Sequence, residues 1–359
     1  GATRTFYVQI GNDGDAADQA LRTTLHRWSR QLVVATAGLV GVGILAREPL
    51  AAVLGTPEHA WAVAALPATG TLWLLLSLQR GVMQGVLDYR GVALSIIGEG
   101  LGRLVCALAL FAAGLGVAGA YLGTPFAFIL VAIWLARRVE RDVRATGGAI
   151  DREAIEHSLP AIVGANWIPI LGLLMLAVLQ NVDVIVGRHQ FDGDAAGSYA
   201  VAAVAAKSVV WVAVGVGLQL LPEATRRAAA GEDPRPAFIR ALLVLTAVAL
   251  PALAIFALVP ELLLSLAFWP ELTEASGALP LLGLAMTLLA IAYLTVQYMI
   301  ALGELRFVWV LGLIAIIEPF LLTSGDMTLA GFASVVLGIQ LVVASILLAL
   351  GLRTRPATA

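Results

Sequence analysis

Residues 56–76 read TPEHAWAVAALPATGTLWLLL and residues 269–289 read WPELTEASGALPLLGLAMTLL. Laid over one another, Pro57 falls on Pro270 and Pro67 on Pro280, and each stretch runs from a Pro-Glu turn into an apolar helix. The exits match too, as VLDYR ending at Arg90 and LGELR ending at Arg306. Such distant self-similarity marks a duplicated helix bundle, a plan on which many transporters are built.

Composition places that duplication in a membrane. Of 359 residues, 60% are hydrophobic and 13% charged, with a mean hydropathy of +0.92, whereas soluble domains carry roughly 25% charged residues. Runs of Leu, Ala, Val and Gly bounded by charges or Gly/Pro turns predict an all-α, polytopic transmembrane helix bundle. Ten spans are expected, at 31–54, 60–79, 91–113, 117–136, 159–187, 196–221, 239–259, 277–301, 306–322 and 328–351. The runs lack the short, period-2 segments of a transmembrane barrel.

Orientation follows from the basic residues, which resist translocation. With the segment before the first span on the cytoplasmic side, eighteen arginines collect on that side and only Arg47 and Arg188 on the other. Arg103 and Lys207 lie inside spans and complete the 22 basic residues. Both ends of the chain are therefore expected in the cytoplasm, with the protein in the cytoplasmic membrane. The polar run 139–158, VERDVRATGGAIDREAIEHS, reads as a cytoplasmic linker between an N-terminal lobe at 1–138 and a C-terminal lobe at 159–359. The repeat gives the second lobe two helices, 159–187 and 196–221, without counterparts in the first. The expectation is a 6+6 two-lobe transporter whose first two helices are missing from this sequence.

Several chemistries are set aside. A net charge of −2 gives no reason for a nucleic-acid partner, and a single cysteine, Cys106, excludes an intramolecular disulfide or multi-cysteine zinc site. NDGDAAD at 12–18 is read as a loop without a second acidic cluster, so no metal is assigned to it. GEGLGR at 98–103 has no strand before it and no Gly-Lys-Ser/Thr after it, so it is not read as a phosphate loop. No cofactor is called for.

Ionisable groups within spans are costly and usually face a partner or a cavity. The chain's only lysine, Lys207, follows Asp183 across a short polar turn, and the two either pair directly or share an aqueous vestibule. Glu99 and Arg103 lie four apart on one helix face and can neutralise each other. Arg103 could instead hold a pyrophosphate while Glu99 orients it, and glycines at 98, 100 and 102 thin that helix for close packing or substrate approach. Glu318 precedes Pro319 inside a span, where a freed carbonyl often marks an ion or substrate site, and Asn166 with Pro169 makes the same case in the fifth span.

The two-lobe plan, the pair NVDVIVGRHQFDGDAAGSYAVAAVAAK (181–207) and LQLLPEATRR (218–227), and the passage SLQRGVMQGVLDYRGVALSIIGEGLGR (77–103) resemble the multidrug/oligosaccharidyl-lipid/polysaccharide (MOP) exporter superfamily. Within it they are most similar to the polysaccharide and oligosaccharide-lipid flippase branch. The resemblance implies a MATE-like fold and a transporter, not an enzyme, that moves a lipid-linked oligosaccharide or polysaccharide precursor across the cytoplasmic membrane by alternating access. Partners would be that amphiphilic cargo and membrane lipids. The residues to hold its head group are Lys207, Arg103, Asn166, Asn181 and Gln180; for coupling to H+ or Na+ they are Asp183, Glu318 and Glu99. The alternatives are a cation-coupled multidrug exporter of MATE type and a membrane-embedded glycosyl- or prenyltransferase.

Overall fold

The structure, a computed structural model, describes residues 14–85, 88–146, 164, 167–268 and 270–354. The described residues are helical almost throughout and include no strand. The chain divides into two compact units, residues 1–165 and 166–359.

In the first unit, α1 (Gly14–Leu45) is followed by the short helices α2 (Arg47–Val53) and α3 (Ala60–Val63), then by α4 (Leu66–Gly85), α5 (Tyr89–Leu110) and α6 (Gly116–Thr146). In the second, α7 (Trp167–Gln190) and α8 (Gly193–Ala229) precede α9 (Arg235–Leu258), the short α10 (Pro260–Ala267), α11 (Leu279–Ala301), α12 (Phe307–Leu322) and α13 (Leu329–Arg353). Eight segments are long and apolar enough to cross a membrane, and Phe307–Leu322 is a shorter apolar helix. One of the eight, Tyr89–Arg141, holds both α5 and α6. Divided there, and with α12 added, the described residues supply ten apolar helices, and the chain is a multi-pass membrane protein.

The division at α5 and α6 has a local cause. The helix passes through a π-helical turn at Phe111–Leu115 and then reverses at Gly114 and Gly116, with φ of 90° and 55°, a left-handed backbone that side-chain-bearing residues avoid. The two helices then run back along each other so closely that a Cβ on Gly123 would sit 2.4 Å from the Ala107 nitrogen. Of the three glycines expected to thin α5, Gly102 meets Ala127 whereas Gly98 and Gly100 face open space.

The duplicated prolines take equivalent places. Pro57 and Pro270 each open a 3-10 turn, and Pro67 and Pro280 are each the second residue of a long helix, α4 and α11, where a backbone N–H has no intrahelical acceptor. Around them the element order repeats: α1, α2, turn, α4, α5, α6 against α9, α10, turn, α11, α12, α13.

Two expectations need correction. The span at 31–54 is two helices, because the charged Arg47-Glu48-Pro49 interrupts the run and the Arg47 guanidinium closes the end of α1 on the Ile44 carbonyl at 3.1 Å. Residues 14–18 of NDGDAAD lie inside α1 and not in a loop, while 12 and 13 fall outside the described residues. Of the run 139–158 expected as a linker, 139–146 continue α6 and 147–158 lie outside the described residues.

The core of the second unit centres on α11, which is buried along most of its length against α8, α9 and α13. Lipid tails are as apolar as leucine, so helices associate through close packing and not by escaping solvent. The α8 stripe Ala202, Ala206, Ala213 and Gly217 is accordingly small and buried.

Candidate functional site

Each unit places a polar cluster among its apolar helices. In the second unit the cluster starts on α7, whose buried stripe Leu176, Leu179, Asp183 and Val186 follows helical spacing. Asp183 is 0% exposed. Its Oδ2 accepts a hydrogen bond from the Tyr199 hydroxyl at 3.0 Å, and its Oδ1 lies 3.9 Å from the Lys207 ammonium, with no hydrogen-bond donor. Tyr199 is fixed in turn by edge-to-face packing on Phe332 of α13, with centroids 5.2 Å apart.

Helix geometry explains how Lys207 reaches this level. Counted from the turn at 191–192, Asp183 lies roughly 10 Å into α7 and Lys207 roughly 21 Å into α8, at 1.5 Å per residue. Side chains lean toward the N-terminus of their own helix. Lys207 therefore leans back toward the turn while Asp183 leans away from it, so the two converge as a direct ion pair. The ammonium also donates to Asn181 Oδ1 at 3.3 Å. Asn181 is exposed and anchors its own amide on the Ala177 carbonyl at 2.8 Å.

Glu318, on α12, is 0% exposed, and neither of its carboxylate oxygens accepts a hydrogen bond. It lies close enough to Asp183 and Tyr199 for its charge to act on both. Gln340 of α13, also fully buried, donates to the Leu179 carbonyl at 3.2 Å, one turn from Asp183, and leaves its Oε1 without a partner. With all groups ionised, two carboxylates and one ammonium leave this buried cluster at −1.

The first unit has the opposite balance. Glu99 of α5, buried, is held by Arg80 of α4 at 2.6 Å and by Arg103, one turn along α5. Arg80 also donates to the Ser95 hydroxyl at 2.8 Å and the Ser95 carbonyl at 3.2 Å. The Arg103 guanidinium lies 4.8 Å over the Phe128 ring of α6, and its Nε is buried without a partner. Two guanidiniums and one carboxylate make +1. Elsewhere in this unit a cavity of about 520 Å³ lies between α1, α4 and α6; its lining is apolar except for Ser29, Thr36, Gln79 and Glu140.

Among the residues expected from sequence, the structure brings Asp183, Lys207 and Asn181 together with Glu318 nearby, and brings Glu99 to Arg103. Gln180 is half-buried on α7 and takes no part in the hydrogen bonds of the described cluster. Asn166 lies outside the described residues. Sequence reading overlooked Tyr199, Gln340 and Arg80. Gln340 could have been noticed as a lone amide in the apolar run LGIQLVV, and Arg80 as the only charged residue of α4.

No family model matches the chain, and no curated protein matches it in sequence. A solved structure does: a multidrug resistance MATE family transporter of the MOP superfamily, in an inward-facing conformation. The match has a TM-score of 0.67 at 16% identity and covers 94% of this chain and 80% of that one. The chain therefore has the MATE transporter fold.

Proposed function

We propose that this protein is a cation-coupled membrane transporter that moves an amphiphilic cargo by alternating access, and that Asp183 and Glu318 carry the coupling H+ or Na+. The carrying observation is the incomplete charge balance of the second unit's cluster. Of two fully buried carboxylates only Asp183 has an ammonium beside it, and Asp183 Oδ1 and both Glu318 oxygens lack hydrogen-bond donors. Buried polar groups are ordinarily satisfied, and ionisable groups at membrane depth are kept for ion and proton pathways. A proton or a small monovalent cation supplies the missing positive charge.

Two cargo readings have separate support. A lipid-linked oligosaccharide or polysaccharide precursor, the cargo implied by the flippase resemblance, is favoured by the net positive Arg80–Glu99–Arg103 group, where the Arg103 guanidinium keeps donors for a phosphate. A hydrophobic cation, as for a multidrug exporter, is favoured by the apolar cavity of the first unit, where Glu140 is the one charged lining residue among the described residues. Lys207 argues less for phosphate than its sequence suggested, because Asn181 and Asp183 already engage its ammonium. No covalent chemistry is assigned.

The test is transport by the full chain in proteoliposomes under imposed proton or sodium gradients, with ethidium and a fluorescent lipid-linked oligosaccharide as probes. Gradient-dependent movement of either one supports the coupled transporter and selects the cargo. Movement of both at the same rate with and without a gradient overturns the coupling.

A further inference from the structure

The chain carries 21 arginines and one lysine among its 22 basic residues, and that lysine is the one beside Asp183. We infer that Lys207 is a tethered counter-cation that competes with the coupling cation for Asp183, resting on Asn181 when the cation is bound and closing on Asp183 when it leaves. The inference rests on the reading of Asp183 as the cation carrier.

Geometry carries it. The ammonium is 3.3 Å from Asn181 Oδ1 and 3.9 Å from Asp183 Oδ1, so it touches one acceptor and stands just outside hydrogen-bonding distance of the other. The two acceptors differ in kind, since Asp183 is fully buried and charged whereas Asn181 is exposed and neutral. They sit two residues apart on α7, so an ammonium on a flexible stem swings between them without any helix moving. Asp183 Oδ2 is held by Tyr199, which leaves Oδ1, the atom facing Lys207, as the position open to either the ammonium or a cation.

The chemistry requires lysine. An ammonium is a compact point charge with three rotatable donors, and one donor suffices for either acceptor. A guanidinium is a rigid planar fork that would fix itself bidentately on the carboxylate. With Lys207 on Asp183, the empty site does not leave an uncompensated carboxylate beside Glu318, so the carrier can cross the cycle without its cation. With a cation on Asp183, repulsion drives the ammonium to Asn181. Lys207 thereby sets how tightly the site holds its ion.

The experiment records charge displacement after Na+ jumps at fixed pH and after proton jumps without Na+, on proteoliposomes of the full chain adsorbed to a solid support. Removing the competitor in Lys207→Gln should move the half-saturation point of the responding ion at least about tenfold toward lower concentration. Asn181→Leu, a change at an exposed position, removes the resting acceptor and should move it about threefold or more in the opposite direction. Lys207→Arg should weaken binding by holding Asp183 more firmly. An unchanged or weakened half-saturation point in a folded Lys207→Gln protein overturns the competition, as does tighter binding in Asn181→Leu. Absence of any displacement in the wild-type protein with either ion instead overturns the coupling reading itself.

Discussion

Both units place a glutamate well inside the helix that follows their long proline-started helix: Glu99 on α5 and Glu318 on α12. Their surroundings are opposite. Glu99 is bracketed by two arginines, whereas no described hydrogen bond reaches Glu318 and its charged neighbour Asp183 is of the same sign. A duplicated scaffold thus holds one carboxylate whose charge is answered within the unit and another whose charge is not. On the proposed reading the first stays paired and the second changes its occupancy.

The sharpest way to break this contrast is to neutralise each unit's acid and compare. Asp183→Asn should reduce gradient-driven transport to the level of empty vesicles while keeping the protein folded, because it removes a fully buried charge and keeps the shape. Glu99→Gln should behave in the reverse sense. It leaves two arginines facing a neutral amide and should cost about 3 kcal/mol, the low end for breaking a buried pair because Arg103 is partly exposed. Thermal unfolding in detergent checks this, and Glu318→Gln in the same assay should hold or gain stability. If Glu318→Gln destabilises as much as Glu99→Gln, the two units do not differ as argued.

A smaller effect is expected at Tyr199. Tyr199→Phe keeps the edge-to-face packing on Phe332 and removes only the hydroxyl that Asp183 accepts, for about 1–2 kcal/mol of stability. An unchanged unfolding temperature would mean that the Asp183 carboxylate finds another donor.

What the sequence conveyed and what it withheld follow from the physics of each signal. The duplication was legible because Pro57, Pro67, Pro270 and Pro280 occupy turn and helix-start positions that few residues can fill. The helices were legible because membrane spans need long apolar runs. The break at Arg47 was harder to see, since one charged tripeptide inside an apolar run looks like a span end or a snorkelling side chain. The Asp183–Lys207 pair was visible as two charges in apolar helices, but their meeting depends on opposed side-chain tilts across a hairpin, which linear distance overstates. Arg80 stands just past the expected span 60–79 and five residues from the end of α4, so its apolar context does not reveal that its guanidinium reaches back to α5. Gln340 comes from a helix far along the chain, and nothing in its local sequence names Leu179 as its partner.

The least effect lies outside the spans, at the turn before α12, where Arg306 donates to Glu304 and holds its carboxyl below the usual carboxylate range. A depressed folded value means that the stabilisation is present above the unfolded-state pKa and is lost as pH falls through the folded value. Glu304→Gln should therefore lower the unfolding temperature slightly at pH 7, because Arg306 is largely exposed and surface pairs are weak, and by less as the pH falls below the ordinary carboxylate range. An equal loss at pH 7 and below that range would show that the ion pair is not its source.

The central claim, that the second unit's carboxylates are the cation site, is tested most directly by charge displacement in Asp183→Asn and Glu99→Gln proteoliposomes assembled side by side. The account predicts a saturable displacement in the wild-type protein after a sodium or proton jump, its retention in Glu99→Gln assayed below its unfolding temperature, and its loss in Asp183→Asn. A displacement of wild-type size in Asp183→Asn, or its loss in Glu99→Gln alone, would contradict the account and move the cation site to the first unit.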